Sequence, residues 1–391
     1  MVSVDAPARD WAASGLAYLT GAPDGPPDFS RAAVLTRARE VAARFRAETG
    51  VDVDAAALLA GRAALQGLTR SGRVSAGGAS RLFAARDGWC ALTLSRRDDV
   101  DAVPALVEAD AVDPWEAVEA WARVTSAADV AARARLLGLP AAVLGEHHGL
   151  AVTRRPHAPT ADHGALLVVD MSSMWAGPLC GRLLLQAGAT VVKVESPRRP
   201  DGTRSGTPAF FDWMNGGKLS YAVDVADTGA LHALLAAADV VIQSSRPEAM
   251  ARRALGPDDV PVRSGRVWVR ITGYGADGDA AQRVAFGDDA AVAGGLVGSG
   301  PVFCGDAIAD PLTGLQAAVE AVAALQAGGG VLIDVAMAGV AAEYARLPLH
   351  AESGYPATAP GMPPCAEPAA SLGADNDVIA RLIDERLRTP C

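Results

Sequence analysis

Along residues 312–325 the apolar side chains Leu312, Leu315, Val319, Val322 and Leu325 recur at spacings of three and four, the period of one helix face. Asp310 and Pro311 stand directly before this run. Aspartate is a favoured N-cap because its carboxylate accepts from the free N–H groups of the first turn. Proline suits the first helical position, where no amide proton is needed. The pattern therefore predicts a helix capped by Asp310, and leaves open whether that carboxylate also does chemistry. Similar periodicity predicts helices over 31–48, 54–68 and 114–137, with one strand at 88–94.

From residue 165 the pattern changes. The runs 165–171, 190–195, 238–243, 266–272 and 330–337 read as buried strands, and 177–188 as a helix ending in glycine. Strands alternating with helices predict an α/β fold: a Rossmann-like, doubly wound parallel sheet, accompanied by a smaller α+β domain. The polar, proline-containing, aperiodic stretch 146–164 is expected to be a linker between a small domain and helical segment (1–145) and the sheet domain (165–345). Residues 346–391 are expected to form a proline-rich surface tail closed by an amphipathic helix over 375–388.

Ligands of such sheets bind at the carboxyl ends of the strands. A dinucleotide site is disfavoured because G-x-G-x-x-G is absent: Gly177 and Gly181 give only G-x-x-x-G, which close helix–strand packing explains equally well. The net charge of −10 and the lack of a basic cluster argue against nucleic acid or an anionic membrane as partner. No apolar run approaches the ~20 residues of a membrane span, and the N-terminus lacks a signal-peptide pattern, so the cytoplasm is expected. Five scattered cysteines and six histidines show no paired or metal-ligand spacing, so neither a disulfide framework nor a metal is expected.

Several segments, in order, resemble the class III CoA-transferases, the CaiB/BaiF family. They are 170-DMSSMWAGPLCGRLLLQAGATVVKVE-195, 215-NGGK-218, 239-DVVIQSSRP-247, 271-ITGYGADG-278, the acid-and-helix segment 305–325 and the strand 330-GVLIDVAM-337. The resemblance implies acyl-CoA and a small carboxylic acid as substrates, no permanently bound cofactor, and an interlocked homodimer with a small domain over the active site. It also places Asp310 at the position of the catalytic aspartate. That residue forms a mixed anhydride with the acyl group and then an aspartyl-CoA thioester. By the same resemblance, Gly77 and Gly78 match the glycine loop that shields the intermediate. Lys218 and Arg246, with Lys193 and Arg198 for the 3′-phosphate, match CoA phosphate contacts. Met174, Trp175 and Ala176 match backbone and stacking contacts, and Asp288 and Asp289 support the nucleophile from behind.

Departures from the family keep other readings open. Asn215-Gly216-Gly217-Lys218 lacks a basic residue common in the family, and Gln243-Ser244-Ser245-Arg246-Pro247 lacks an aromatic wall for adenine. Asp288 stands where the racemase branch carries histidine. An acyl-CoA racemase or isomerase, or a non-catalytic CoA-binding subunit, are the alternatives. The order of segments is permuted as well. The small-domain counterpart, 75–94, precedes the sheet, and 368–382 resembles the family's usual C-terminal end. Residues 10–21 also echo 289–298, and 58–65 echo 312–319, as in the remnant of a fused tandem pair.

Overall fold

A computed structural model describes residues 5–224 and 227–388. Twelve strands form three sheets among them. Strands β1 (Ser80–Ala84), β2 (Trp89–Thr93) and β3 (Ala141–Val143) make a small antiparallel sheet. The large sheet contains β4 (Val152–Pro156), β5 (Leu167–Met171), β6 (Thr190–Glu195), β7 (Leu219–Ala222), β8 (Val240–Gln243) and β9 (Val267–Thr272). Between β10 (Val297–Gly298) and β11 (Val302–Phe303) lies a two-residue ladder, and β12 (Val331–Ala336) completes the large sheet.

The order of the large sheet is β4-β12-β9-β8-β5-β6-β7. All pairs are parallel except β4 with β12. Winding runs outward from β5 through β6 and β7 on one side and through β8, β9 and β12 on the other. The switch point therefore lies at the carboxyl ends of β5 and β8, where doubly wound sheets bind ligands. The five strands read from sequence after residue 164 all lie in this one sheet, and the one read at 88–94 is β2 of the small sheet. Two others escaped that reading. β7 is four residues long and follows Gly-Gly-Lys. β4 corrects the linker expectation. Its residues are polar and mostly exposed, as befits an edge strand, and only pairing with the buried β12 reveals it.

Helix Ala309–Gln326 organises the core. Rather than burying one stripe, it buries a continuous run from Ala309 to Leu315 except Asp310, and Ala317 to Val322. A helix buried all round needs cover on every side. Helix Ala176–Gln186 packs on one face, where a Cβ at Gly314 would meet Ala176 O at 2.6 Å and Leu179 Cβ at 3.0 Å. Helix Ala33–Thr49 packs on another. Trp11, Leu16, Leu35, Phe45 and Leu59 consequently share one core with Leu312, Leu315 and Val319.

This corrects the expected 1–145 unit. The helices before residue 67 belong to the main core, and only the segment around β1–β3 has its own, built on Phe83, Leu92, Leu106, Val118 and Val130. The other face of that small sheet, through Leu82, Ala91 and Ala142, packs on Tyr274, Val292 and Phe303. The pattern expected over 114–137 is broken in two, because Ser126 caps a new helix at Ala127 through Asp129 N.

The echoing segments share a local plan. Helix Ala6–Ala13 leads to a bridge between Gly21 and Pro27, and helix Gly287–Ala293 leads to the β10–β11 ladder. The two units meet. Asp28 accepts from Ser299 N at 2.6 Å, and Arg31 donates to the carbonyls of Val297, Gly295 and Ala345. The tail then crosses the N-terminal helices without regular structure, and helix Asn376–Arg388 docks beside β7, where Asp375 accepts from Ser220 N at 2.8 Å.

Phe45→Ala should cost about 3–5 kcal/mol and lower the denaturant midpoint of the whole protein in a single transition. An early separate transition of the N-terminal helices would contradict a shared core.

Candidate functional site

Asp310 does not cap its helix. The helix begins at Ala309 after Ile308, with no side-chain cap, so Asp310 and Pro311 lie inside the first turn. Proline is tolerated there because first-turn N–H groups have no intrahelical partner. The Asp310 carboxylate instead accepts from Gly287 N at 3.1 Å, across to the start of helix Gly287–Ala293. A Cβ at Gly287 would lie 2.5 Å from Asp310 Oδ2, so glycine is what permits the approach.

Three other acids surround this point. Asp306 is fully buried and paired with Arg62, with Nε 2.8 Å from Oδ2 and Nη2 2.5 Å from Oδ1. Asp288 accepts from Ala307 N at 3.0 Å and from Ser80 Oγ at 3.1 Å. Asp289 is fully buried, accepts from Phe286 N at 2.9 Å and Thr93 Oγ1 at 3.0 Å, and leaves Oδ2 unpartnered. Burial and like charge raise Asp310, Asp288 and Asp289. Asp310 is pushed up to about 7, by burial first, with Arg62 opposing and Asp288 adding. Burial and the Asp306 charge carry Asp288 to about 6, and burial carries Asp289 to about 7.

The glycine loop reaches this cluster from the small sheet. The Ser75–Ser80 turn is ordered by its own bonds: Ser75 N to Ser80 O at 2.9 Å, Ser80 N to Ser75 Oγ at 3.0 Å, and Gly78 N to Ser75 O at 2.8 Å. Gly78 has φ +81, which favours glycine, and its N–H is used inside the turn. Among the described residues, only Gly77 of the pair keeps an N–H without a backbone acceptor. A Cβ at Gly77 would sit 3.2 Å from Arg62 Nη2, so the loop lies over the guanidinium. That guanidinium also stands 5.1 Å from the Trp175 ring centroid.

At the switch point the expected CoA contacts divide into two groups. Met174, at φ +74 with its N–H on Asp201, is exposed, as are Arg246 and Arg198. Trp175 and Ala176 are buried. The Trp175 ring packs edge-on against Phe210, and its Nε1 has no partner among the described residues. It is therefore not placed to stack on an adenine.

The two lysines are placed differently from the expectation. Lys218 is buried, with Nζ 2.8 Å from Asp170 Oδ2, 2.8 Å from Pro178 O and 3.0 Å from Asn215 Oδ1. Lys193 is buried on Asp201 at 2.8 Å and on Ser172 O. Burial alone would raise Asp170, and Lys218 with Lys193 behind it reverses this, holding the carboxyl below the usual range. Both ammonium groups are thus engaged in internal ion pairs and are not free to meet a phosphate. Arg198, Arg199, Arg252 and Arg253 line a groove of about 720 Å³ beyond β6, β7 and β8, where Arg198 is paired with Asp224 at 3.2 Å and Arg252 with Glu248 at 3.6 Å.

A family profile for CoA-transferase family III matches residues 165–364, half of the chain, which covers the sheet and the Asp310 helix. The chain belongs to CoA-transferase family III. Within family III, a Mycobacterium tuberculosis protein named "Probable fatty acyl-CoA transferase" is 37% identical over 123 residues, 28% of this chain and 31% of that protein. Human succinyl-CoA:glutarate CoA-transferase is 30% identical over 188 residues, 43% of each chain. Succinyl-CoA–D-citramalate CoA-transferase of Chloroflexus aurantiacus is 26% identical over 204 residues, 47% of this chain and 50% of that one. This chain spans half or less of these relatives' lengths. Among solved structures, a hypothetical protein of M. tuberculosis overlaps 48% of this chain and 57% of its own, at 30% identity and a TM-score of 0.42. A CaiB/BaiF family protein from Brucella suis overlaps 46% and 53%, at 28% identity and a TM-score of 0.40.

Sequence reasoning missed Arg62, Ser80, Thr93 and the arginines 199, 252 and 253. The one signal for Arg62 is a single charge inside the apolar helix segment 58-LLAGRAAL-65. Among the described residues, no helix is long and apolar enough to cross a membrane, and no group of His, Cys, Asp and Glu is arranged to hold a metal ion.

Two outcomes follow. Lys218→Ala strands the buried Asp170 and should cost about 3–5 kcal/mol in a denaturant melt, whereas Arg198→Ala should stay within about 0.5 kcal/mol. A carboxyl raised on folding stabilises at low pH, and that contribution is lost as pH rises through its folded value. Asp310→Asn should therefore melt higher than the parent at about pH 8, by on the order of 1–3 kcal/mol, with the difference vanishing towards about pH 4.

Proposed function

We propose that this chain is an acyl-CoA:carboxylate CoA-transferase whose nucleophile is Asp310. One observation carries the reading. The Asp310 carboxylate is withheld from capping and held at the switch-point end of its helix by a single N–H. There, burial brings it to about 7, so that it is about half ionised at neutral pH. The family membership and the relatives' names supply the substrate class.

Attack of an Asp310 oxygen on the thioester carbonyl forms a tetrahedral intermediate. Breaking its C–S bond releases CoA thiolate and leaves a mixed anhydride. The thiolate then attacks the aspartyl carbonyl of the anhydride, which frees the donor acid and leaves an aspartyl-CoA thioester. An incoming carboxylate attacks that thioester, and the expelled thiolate takes the new acyl group, regenerating Asp310. The first turn of the helix favours the carboxylate charge. The Gly77 N–H and the unpartnered Trp175 Nε1–H, both next to Arg62, are the donors we assign to the oxyanion. The phosphates of CoA lie, in this reading, along Arg198, Arg199, Arg252 and Arg253, with Arg246 and Met174 nearer the switch point.

α-Proton exchange is a weaker reading, because both Asp288 oxygens already accept hydrogen bonds. An interlocked homodimer follows from the resemblance. Yet Arg62, the glycine loop, Ser80 and Thr93 all reach the acids from the same chain, so closing the site does not call for a second one.

The test is incubation with succinyl-CoA, acetyl-CoA and a long-chain acyl-CoA, each with hydroxylamine, followed by peptide mass spectrometry. Inactivation with a hydroxamate on Asp310 alone is expected, while Asp306, buried under Arg62, stays unmodified. Asp310→Asn should lose transfer by orders of magnitude, and an Asn variant with normal turnover refutes the nucleophile. In the wild type the rate should fall about tenfold per pH unit below about 7, as the carboxylate is lost.

A further inference from the structure

We propose that Arg62 is a positioning residue for Asp310, supplying the countercharge of the carboxylates gathered there and fixing their arrangement. The inference rests on reading Asp310 as the nucleophile. Arg62 lies in helix Ala55–Gln66, 244 residues before its partner Asp306. Its guanidinium is held on four sides: by the two-pronged bond to Asp306, by Trp175 at 5.1 Å, by Phe210 at 5.9 Å, and by the loop at Gly77. A planar fork fixed in this way holds its charge in one place, which a flexible ammonium does not.

Facing Asp310 are Asp288 from helix Gly287–Ala293, Asp306 from the turn before its own helix, the Gly287 N–H, and Arg62 as the cation that acts on it. Burial opposes the Arg62 charge most strongly, and Asp306, Asp288 and Asp310 together outweigh it, so the guanidinium stays charged. Arg62 influences Asp310 more strongly than Asp306 does. The buried pair is therefore not neutral in its effect. Removing both partners deprives Asp310 of more support than repulsion, whereas removing Asp306 alone relieves repulsion.

These opposite signs make the test. Protonated carboxyls are labelled with a water-soluble carbodiimide and glycinamide over about pH 5 to 9, and Asp310 is followed by peptide mass spectrometry. Circular dichroism verifies that each variant is folded. The wild-type midpoint is expected near 7. Asp306→Asn, which keeps a hydrogen-bond acceptor for Arg62, should move it down. The double variant Arg62→Met/Asp306→Asn leaves neither partner of the pair stranded and should move it up. Arg62→Lys, which keeps the charge without the fork, should move it up by less than the double variant does. A purely architectural pair would leave the midpoint unmoved, and the wild-type midpoint in a folded Arg62→Met/Asp306→Asn, or in Arg62→Gln/Asp306→Asn where the first does not fold, overturns the proposal. Labelling needs no acyl-CoA, so the two ideas fail separately. Shifts as expected with no acyl adduct sink only the nucleophile, and an adduct without shifts sinks only the role of Arg62.

Discussion

The contact of Gly314 with the first turn of helix Ala176–Gln186 is the constraint on which the site depends. A single added methyl there would collide with Ala176 O, so the two helices approach to backbone distance. That approach brings the start of helix Ala309–Gln326 to the place where the strand order reverses, one turn from the loop after β5. It also leaves the helix with further faces to cover, and the N-terminal helices do so. The arm that covers the helix carries Arg62 to Asp306, and the sheet that follows it carries the glycine loop over Arg62. Core packing and site assembly are thus one event.

Buried charge is handled in two contrasting ways. At the carboxyl ends of β5 and β6, Lys218 and Lys193 sit against Asp170 and Asp201, each ammonium receiving oxygen partners on several sides. Such pairs fix local geometry, and losing one partner strands the other. Around Asp310 the balance differs, since Asp288, Asp306 and Asp310 face one guanidinium. The shortfall of positive charge, together with burial, is what lifts Asp310 and Asp288 towards neutrality. Strongly shifted carboxyls gathered beside a switch point mark a candidate functional site.

The permuted order of segments has a physical counterpart. The small sheet lies between two cores, its own and the one shared with Tyr274 and Phe303, and its β1–β2 ends bond Asp288 and Asp289 through Ser80 and Thr93. A segment placed before the sheet in sequence can cover the site as well as one placed after it, because the connection through β4 runs along the sheet edge and returns the chain to its centre.

The sequence by itself determined the buried strands of the large sheet, the helix after Asp310 and the carboxylate that begins it, because periodicity and apolar runs are local properties. It also carried the family, through motifs whose order survives around the sheet. Tertiary structure alone decided what the charged residues do. Lys218 and Arg198 look alike in sequence, but one points into a cavity already lined by Asp170 and Asn215, and the other points to solvent beside further arginines. The polar run that becomes β4 has no apolar alternation and is a strand only because β12 offers it an edge. Asp310 had the local features of a cap. It is freed from that role because the helix starts at Ala309, two residues earlier than a cap at Asp310 would set, and Gly287, 23 residues upstream, presents its N–H across the gap. Arg62 was legible only as a charge in an apolar helix, since the acid it pairs with lies 244 residues away and no local pattern joins the two.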